Sequence, residues 1–275
     1  ELLSEKFKPI LYLHEEENYK PQEIQVVLDT ADLYKGGELV IPQPEPLTKE
    51  FLSGKTESDY KLDLLGDTFI PGPEDNPYKN TAYSHITRDQ GHVVLQYWFF
   101  YYYNNWPGGP DHEGDWEFIQ LIFPADKSPQ EIIEENISPD EAVYSAHLGG
   151  YREDWENDSV EKDGNRPVVY VAKGSHANYF QKGVCDVTPP RGVGVDQTNR
   201  THKLTIETIE TIIDQVLGGP FPGTIPQKWL LFGGVWGSVV GSPPTPLRQD
   251  SWSGDIARTT DWTNFYLNHC DGDFD

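Results

Sequence analysis

The chain has 275 residues, of which 45 are acidic and 21 are basic, so its formal net charge at pH 7 is -24. This charge argues against nucleic acid as a partner and against simple electrostatic attraction to anionic lipid, because phosphate groups would be repelled. The 25 Gly and 22 Pro, together with 15 Tyr, 12 Phe and 8 Trp, favour many short strands joined by turns. We therefore expect a mainly β protein.

Three features of the sequence predict a secreted protein. The chain contains no Met, which suggests that it begins after a removed signal peptide. Its cysteines, Cys185 and Cys270, form an even pair that suggests one disulfide, although two free thiols are the alternative. Glycosylation triplets begin at Asn136, Asn157 and Asn199. Because the longest apolar stretch is shorter than the roughly 18 residues that a spanning helix needs, we expect no membrane span.

The first half of the chain predicts a strand, a long excursion and a hairpin. Residues 10–13 form a short apolar run that predicts the first strand. Residues 43–80 are rich in Pro, Gly and charge, which predicts a long surface loop. Residues 82–86 and 93–103 predict two paired strands around a turn at 88–91.

The second half alternates between strands and helices. The predicted elements are a loop at 104–114, a strand at 115–123, a helix at 128–136 capped by Ser128, strands at 142–146 and 167–172, and a helix at 205–217. The second helix is predicted from isoleucines at near-helical spacing. The C-terminal region is Trp-rich and irregular. We expect its Trp side chains to pack a core, with a carbohydrate-stacking surface as the alternative.

A cluster of chemistry-bearing residues lies where the strand at 115–123 begins. Asp115 and Glu117 would point to one face of that strand, and Trp116 would point to the other face, into the core. Two buried carboxylates at such spacing need a cation, a shared proton or a base. His112 precedes them, and a His with two carboxylates suits Ca²⁺, Mg²⁺ or Mn²⁺. The alternative is an acidic strand that faces solvent.

Two further histidines, His147 and His176, each follow a predicted strand. Loops at strand ends often carry function, so these side chains could converge with His112 on one pocket. The alternative is that His176 only forms hydrogen bonds with loop backbone.

The order of these motifs resembles a known family. The segments are Phe7–His14, Gln96–Tyr101, His112–Glu117, Ser145–Gly150, Pro167–Ala172 and Gly174–Tyr179. Together they resemble the vacuolar-protein-sorting-associated family of the "sixty-two" type and its plant relatives. The resemblance covers the chain from Phe7 to Tyr179.

The central motif is also similar to that of the necrosis- and ethylene-inducing peptide-like proteins, which are secreted cytolysins. That resemblance implies a β-sandwich core, with few short peripheral helices and long loops, as one domain over residues 1–275. It also implies a divalent-cation site lined by His112, Asp115 and Glu117, and carbohydrate or glycolipid headgroups as partners. Gly114 stands where that family has a second His, and Asp111 is the candidate for a further acidic ligand.

Three functions are compatible with these residues. The first is a secreted, cation-dependent protein that docks on cell-surface glycan or glycolipid headgroups. A cytolysin-like effector is one form of this function. The second is a secreted hydrolase acting on a polysaccharide or phosphodiester, with Glu117, His147 and His176 as catalytic groups. The third is a structural cation site with the function elsewhere in the chain.

Overall fold

A computed structural model describes residues 3–42, 45–64, 77–147, 149–187, 194–212, 227–249 and 270–271. The protein is mainly β, as its composition predicts. The strands are β1 (Ile10–Leu13), β2 (Asp32–Lys35), β3 (Glu38–Ile41), β4 (Tyr60–Asp63), β5 (Thr81–Asp89), β6 (His92–Asn104), β7 (His112–Ala125), β8 (Glu141–Ala146), β9 (Gly149–Asp154), β10 (Lys162–Asp163), β11 (Arg166–Val171), β12 (Asn178–Tyr179), β13 (Gly183–Val187), β14 (Gly194–Thr198), β15 (His202–Leu204), β16 (Thr208–Ile212), β17 (Val235–Trp236) and β18 (Cys270–Asp271). The helices are α1 (Leu3–Lys6), α2 (Gln25–Thr30), α3 (Lys49–Ser53) and α4 (Pro129–Glu134).

A six-stranded sheet, in the order β16-β5-β6-β7-β8-β9, forms the centre of the molecule. The predicted hairpin at its middle is confirmed, because β5 and β6 pair antiparallel from Tyr83 opposite Trp98 to Asp89 opposite His92. Strand β6 is apolar at nearly every position because both of its faces are buried. Its alternate side chains therefore enter two different cores.

One face of this sheet packs against a second sheet in the order β10-β11-β1-β15, which makes a sandwich. Tyr97, Phe99 and Tyr101 of β6 lie in this first core together with Leu11 of β1 and Val169 of β11. Strand β1 was predicted at the same residues, and it pairs parallel with β11.

The opposite face of the central sheet is covered by a four-stranded sheet in the order β17-β4-β2-β3. Trp98 and Phe100 of β6 lie in this second core, where Trp116, Trp229 and Trp236 pack against one another. The described C-terminal Trp residues are thus core residues, as predicted. Trp252 and Trp262 lie outside the described residues.

Two predictions about secondary structure were wrong. Residues 208–212 are strand β16, which pairs parallel with β5, so a helix does not run through 205–217. Pairing with the edge of the central sheet outweighs the near-helical spacing, because Thr and Ile are β-branched and favour strands. Within 43–80, the chain forms α3 and β4, and only part of that range is loop.

Other local predictions are confirmed. Helix α4 begins after Ser128, whose hydroxyl accepts a hydrogen bond from the Glu131 amide in a capping box. Cys185 and Cys270 form a disulfide that joins β13 to β18. Among the helices in the described ranges, none is long and apolar enough to cross a membrane.

Candidate functional site

The site begins at a backbone irregularity in β7. Gly114 has a φ of 65°, and a Cβ at this position would lie 2.0 Å from the carbonyl oxygen of Trp236. Only glycine tolerates both the left-handed conformation and this close approach. Asp115 and Glu117 then lie opposite Tyr101 and Phe99, on the first-core side of the sheet. The predicted alternation is confirmed, since Trp116 lies in the second core.

Asp115 is 7% exposed and is held by the last residue of β6 and by a residue of the connection between β11 and β12. Its Oδ2 accepts hydrogen bonds from Asn104 Nδ2 at 2.9 Å and from His176 Nδ1 at 2.9 Å. On the other side of the imidazole, His176 Nε2 lies 3.5 Å from Glu17 Oε1. His176 therefore lies between two carboxylates, and its ring stacks on Tyr101 at a centroid distance of 3.9 Å.

These neighbours determine the protonation of His176. Burial alone would lower its pKa, but the carboxylates of Glu17 and Asp115 outweigh burial and raise the pKa to about 9. Burial would likewise raise the pKa of Glu17. The charge of His176 and the hydrogen bonds that Glu17 accepts nevertheless lower that pKa. His176 is thus an imidazolium at neutral pH, and it neutralises one carboxylate of the site.

Glu117 lies two positions further along β7 and is 6% exposed. Burial, and then the neighbouring charge of Asp115, raise its pKa well above the ordinary value of 4.5. Ser145 donates a hydrogen bond to Glu117 Oε2, which opposes this rise. Glu117 needs a counter-charge, and without one it takes up a proton.

A fourth acidic residue, Asp196 of β14, completes the site and is fully buried. Asp196 accepts hydrogen bonds from Ser175 Oγ at 2.7 Å and from Tyr179 Oη at 2.6 Å. His147 Nε2 lies 2.7 Å from Asp196 Oδ2, and the His147 ring packs against Trp106 at 4.3 Å. The negative charge of Asp196 also contributes to the raised pKa of Glu117. The two carboxylates therefore interact electrostatically.

We call Glu17, Asp115, Glu117 and Asp196 the acidic cluster. If all four carboxylates were ionised, protonation of both His147 and His176 would still leave two negative charges in excess. Within the part of the chain that the structure describes, no hydrogen bond is recorded to Asp115 Oδ1 or Glu117 Oε1. Buried negative charge of this kind is unfavourable unless a cation or a proton balances it.

The other predicted ligands lie apart from these contacts. Asp111 is exposed at the surface. His112 Nδ1 lies 2.9 Å from the carbonyl oxygen of Gly114, and its Cδ2 would be 3.2 Å from a Cβ at Gly241. No contact from Asp111 or His112 to the acidic cluster is recorded among the described residues. Their roles as ligands stay predictions.

Three acidic residues were not predicted from sequence, two of them in the acidic cluster and one on the opposite face of the sheet. Glu17 stands in a run of three glutamates, and no sequence signal distinguishes it from its exposed neighbours. Asp196 occupies an alternating strand position where an acidic side chain would ordinarily face solvent. Glu113 lies on the second-core side, where its Oε2 accepts hydrogen bonds from the Leu64 amide, the Ser238 amide and Ser238 Oγ.

The donor atoms of Asp115 and Glu117 are carboxylate oxygens, the type that Ca²⁺ and Mg²⁺ prefer. No group of three or more His, Cys, Asp or Glu side chains within the described ranges is arranged to hold a metal ion. Asp115 and Glu117 nevertheless offer two carboxylates, and Asn178 Oδ1 is a buried oxygen without a hydrogen-bond partner. Two carboxylates are enough for an ion such as Mg²⁺, which keeps several of its water ligands.

The His176 pKa predicts how stability depends on pH. The folded-state pKa of about 9 exceeds the unfolded value of 6.5, so the contribution of His176 is complete below pH 6.5 and is lost as pH rises through 9. The raised pKa of Glu117 acts in the same direction. We expect the free energy of unfolding to fall by about 2–3 kcal/mol between roughly pH 6.5 and 9.5, measured by denaturant titration. His176→Gln should flatten this slope, and an equal slope in the variant would contradict the assignment.

Comparison with known proteins gives structural likenesses alone. A scan against known protein families finds no match, and a search of curated proteins finds none. Similar solved structures include "NLPPya in complex with glucosamine", at 13% identity and TM-score 0.47, covering 94% of this chain and 88% of that chain. A second is "Crystal structure of non-toxic HaNLP3 protein", at 10% identity and TM-score 0.47, covering 97% and 91%.

A third is Necrosis and Ethylene inducing Protein 2 from the causal agent of cocoa's Witches Broom disease, at 14% identity and TM-score 0.40, covering 76% of this chain and 72% of that chain. Two further similar solved structures carry the words "Toxin fold" in their descriptions, at 14–15% identity and TM-scores of 0.40 and 0.47. The resemblance to the vacuolar-sorting family has no support among them. At these identities and TM-scores the likeness does not extend to activity or ligand.

Proposed function

We propose that this protein binds carbohydrate through a divalent cation that Asp115 and Glu117 hold at the first-core face of β7. The observation that carries this proposal is the excess of buried negative charge in the acidic cluster. A cation at the two carboxylates would balance that charge without a proton on Glu117. Among the described residues, none donates a hydrogen bond to Asp115 Oδ1 or Glu117 Oε1, which leaves ligand positions available.

This chain's own residues would position such an ion. Asn104 and His176 fix the orientation of Asp115, and Ser145 fixes that of Glu117. When bound, the ion would supply positions at which sugar hydroxyls replace water. Ca²⁺, Mg²⁺ and Mn²⁺ all suit these oxygen donors.

Aromatic stacking does not come from the Trp side chains that the structure describes. Trp98, Trp106, Trp116, Trp155, Trp229 and Trp236 are all buried, and the most exposed of them, Trp106, is 8% accessible. The alternative of a carbohydrate-stacking surface therefore does not hold for these Trp residues. Sugar recognition at this site would depend on polar contacts.

Binding of sugar should depend on the cation. We expect glycan binding with Ca²⁺, Mg²⁺ or Mn²⁺ present to disappear with a chelator, and to weaken at least roughly tenfold in Asp115→Asn and Glu117→Gln. A glycan array followed by calorimetry would measure this. Glucosamine and mannosamine, named in two of the similar solved complexes, are suitable soluble probes.

Asp163→Asn is the matched control, since it makes the same change of charge at an exposed position outside the acidic cluster. It should bind like the parent. Sugar binding that persists unchanged in chelator would defeat the proposal.

A hydrolase is the second candidate, and one contact favours it. His147 lies 2.7 Å from the buried Asp196, an arrangement that orients an imidazole as a general base. Glu117, whose pKa is raised, could donate a proton. Turnover of a glycan panel that is lost in both Glu117→Gln and Asp196→Asn would favour this function over binding alone.

We also propose that the protein works outside the cell. A disulfide between Cys185 and Cys270 persists in oxidising compartments and is rare in the cytosol. Mass spectrometry of culture medium and cell fractions from the native source would test this location.

A further inference from the structure

We infer that Asn157 carries an N-linked glycan when the chain passes through a eukaryotic secretory pathway, and that Asn199 does not. The two asparagines lie in equivalent sequence triplets, Asn157-Asp158-Ser159 and Asn199-Arg200-Thr201. Sequence alone does not separate them. This inference rests on the extracellular location proposed above and is independent of the cation site.

Asn157 is exposed in the connection between β9 and β10. Its Oδ1 accepts a hydrogen bond from the Ser159 amide at 3.0 Å, which holds the side chain in an Asx turn. Its Nδ2, the atom that would be modified, donates to Glu153 Oε2 at 2.9 Å in an exposed contact and to no other described residue. A glycosylated amide keeps one N–H, so attachment costs at most this weak surface bond.

There is room for a sugar beside Asn157. A cleft of about 490 Å³ adjoins the triplet and is lined by its residues Asp158 and Ser159. Tyr170 and Arg200, the second of which follows Asn199, also line this cleft, so the cleft provides space and the exposure of each asparagine distinguishes the two triplets. The first sugar attached to Asn157 therefore meets open space and polar groups, and no buried backbone has to move.

Asn199 differs from Asn157 in its exposure to solvent. It is only 7% exposed, and its Oδ1 accepts a hydrogen bond from the Thr201 amide at 3.1 Å. A glycan at this position would have to displace the packed ends of β14 and β15. Chains modified there should fail to reach the folded, secreted pool.

The chemistry is a group transfer that needs a sugar donor. The amide Nδ2 of Asn157 forms a bond to C1 of the reducing-end sugar of a lipid-linked oligosaccharide pyrophosphate. The bond from C1 to the pyrophosphate oxygen breaks, the lipid pyrophosphate leaves, and the amide loses one proton. No electrons are transferred.

The test is secretion of the full chain from a eukaryotic host, followed by glycopeptide mass spectrometry. Asn136 is a second exposed triplet, so every protein is made with Asn136→Gln to leave only the two positions of interest. We expect a glycan on the Asn157 peptide. A peptide N-glycosidase should remove this glycan and convert Asn157 to Asp. Asn157→Gln and Ser159→Ala should each abolish it, whereas Asn199→Gln should leave it unchanged.

Two results would overturn the inference. One is a folded, secreted protein whose Asn157 peptide carries no sugar. The other is a glycan on Asn199 in protein that melts cooperatively at the temperature of the unmodified chain. Neither result bears on cation binding, which is measured separately with bacterially produced protein.

Discussion

Replacement of Gly114 by Ala is expected to lower the free energy of unfolding by about 4 kcal/mol or more. Two costs combine at this position. The φ of 65° is unfavourable for any residue with a Cβ, and the added atom would lie 2.0 Å from the carbonyl oxygen of Trp236. The three nearest atoms all belong to the buried Trp236, and two of them are backbone atoms, so there is little room for relaxation. Denaturant titration measures the change.

Gly164→Ala is the matched control for Gly114→Ala. Gly164 has a φ of 64°, but nothing lies within 4 Å of a Cβ built there. It should therefore show the backbone cost alone, about 1 kcal/mol. The difference between the two variants isolates the close approach of β7 to Trp236. Equal losses of stability would show that β7 does not pass so close to Trp236.

Removal of the His176 imidazole is expected to cost about 3–5 kcal/mol, because it leaves two buried carboxylates without their cationic partner. In His176→Ala, Asp115 loses a hydrogen bond of 2.9 Å and Glu17 loses its facing cation. The stack on Tyr101 is lost as well, which adds a cavity in the first core. Thermal and denaturant unfolding would both report this loss.

His202→Ala is the control for His176→Ala, since His202 is exposed in β15. It should change stability by less than about 0.5 kcal/mol. Part of the loss in His176→Ala should be recovered at low pH, where the unpaired carboxylates take up protons. A His176→Ala protein as stable as the parent at neutral pH would contradict the ion-pair description.

The central strands could be predicted because their residues carry strong local signals. The apolar run of β6 with its turn, the capping box of α4 and the alternation in β7 all act over short distances. Strand β16 could not be predicted in the same way. Its isoleucines also match a helix, and its pairing with β5 joins segments more than 120 residues apart.

The same distinction between local and non-local signals applies to the residues of the site. The shared face of Asp115 and Glu117 follows from strand geometry, which is local. The contacts of Asp196 with His147 and of Glu17 with His176 depend on loops and strands that meet only in the folded chain. The placement of His112 also depends on a non-local element, the turn that contains Gly241.

The measurement that tests the account most directly is a calorimetric titration of the purified protein with Mg²⁺, Ca²⁺ and Mn²⁺ after chelation. Asp115→Asn, Glu117→Gln, His112→Ala, Asp111→Asn and the control Asp163→Asn would be titrated alongside. The account predicts one equivalent of bound cation, lost in Asp115→Asn and Glu117→Gln and kept in Asp163→Asn, while weaker binding in His112→Ala or Asp111→Asn would assign that residue as a further ligand. Absence of any cation binding to the parent protein, with Glu117 shown to carry a proton at neutral pH, would contradict it.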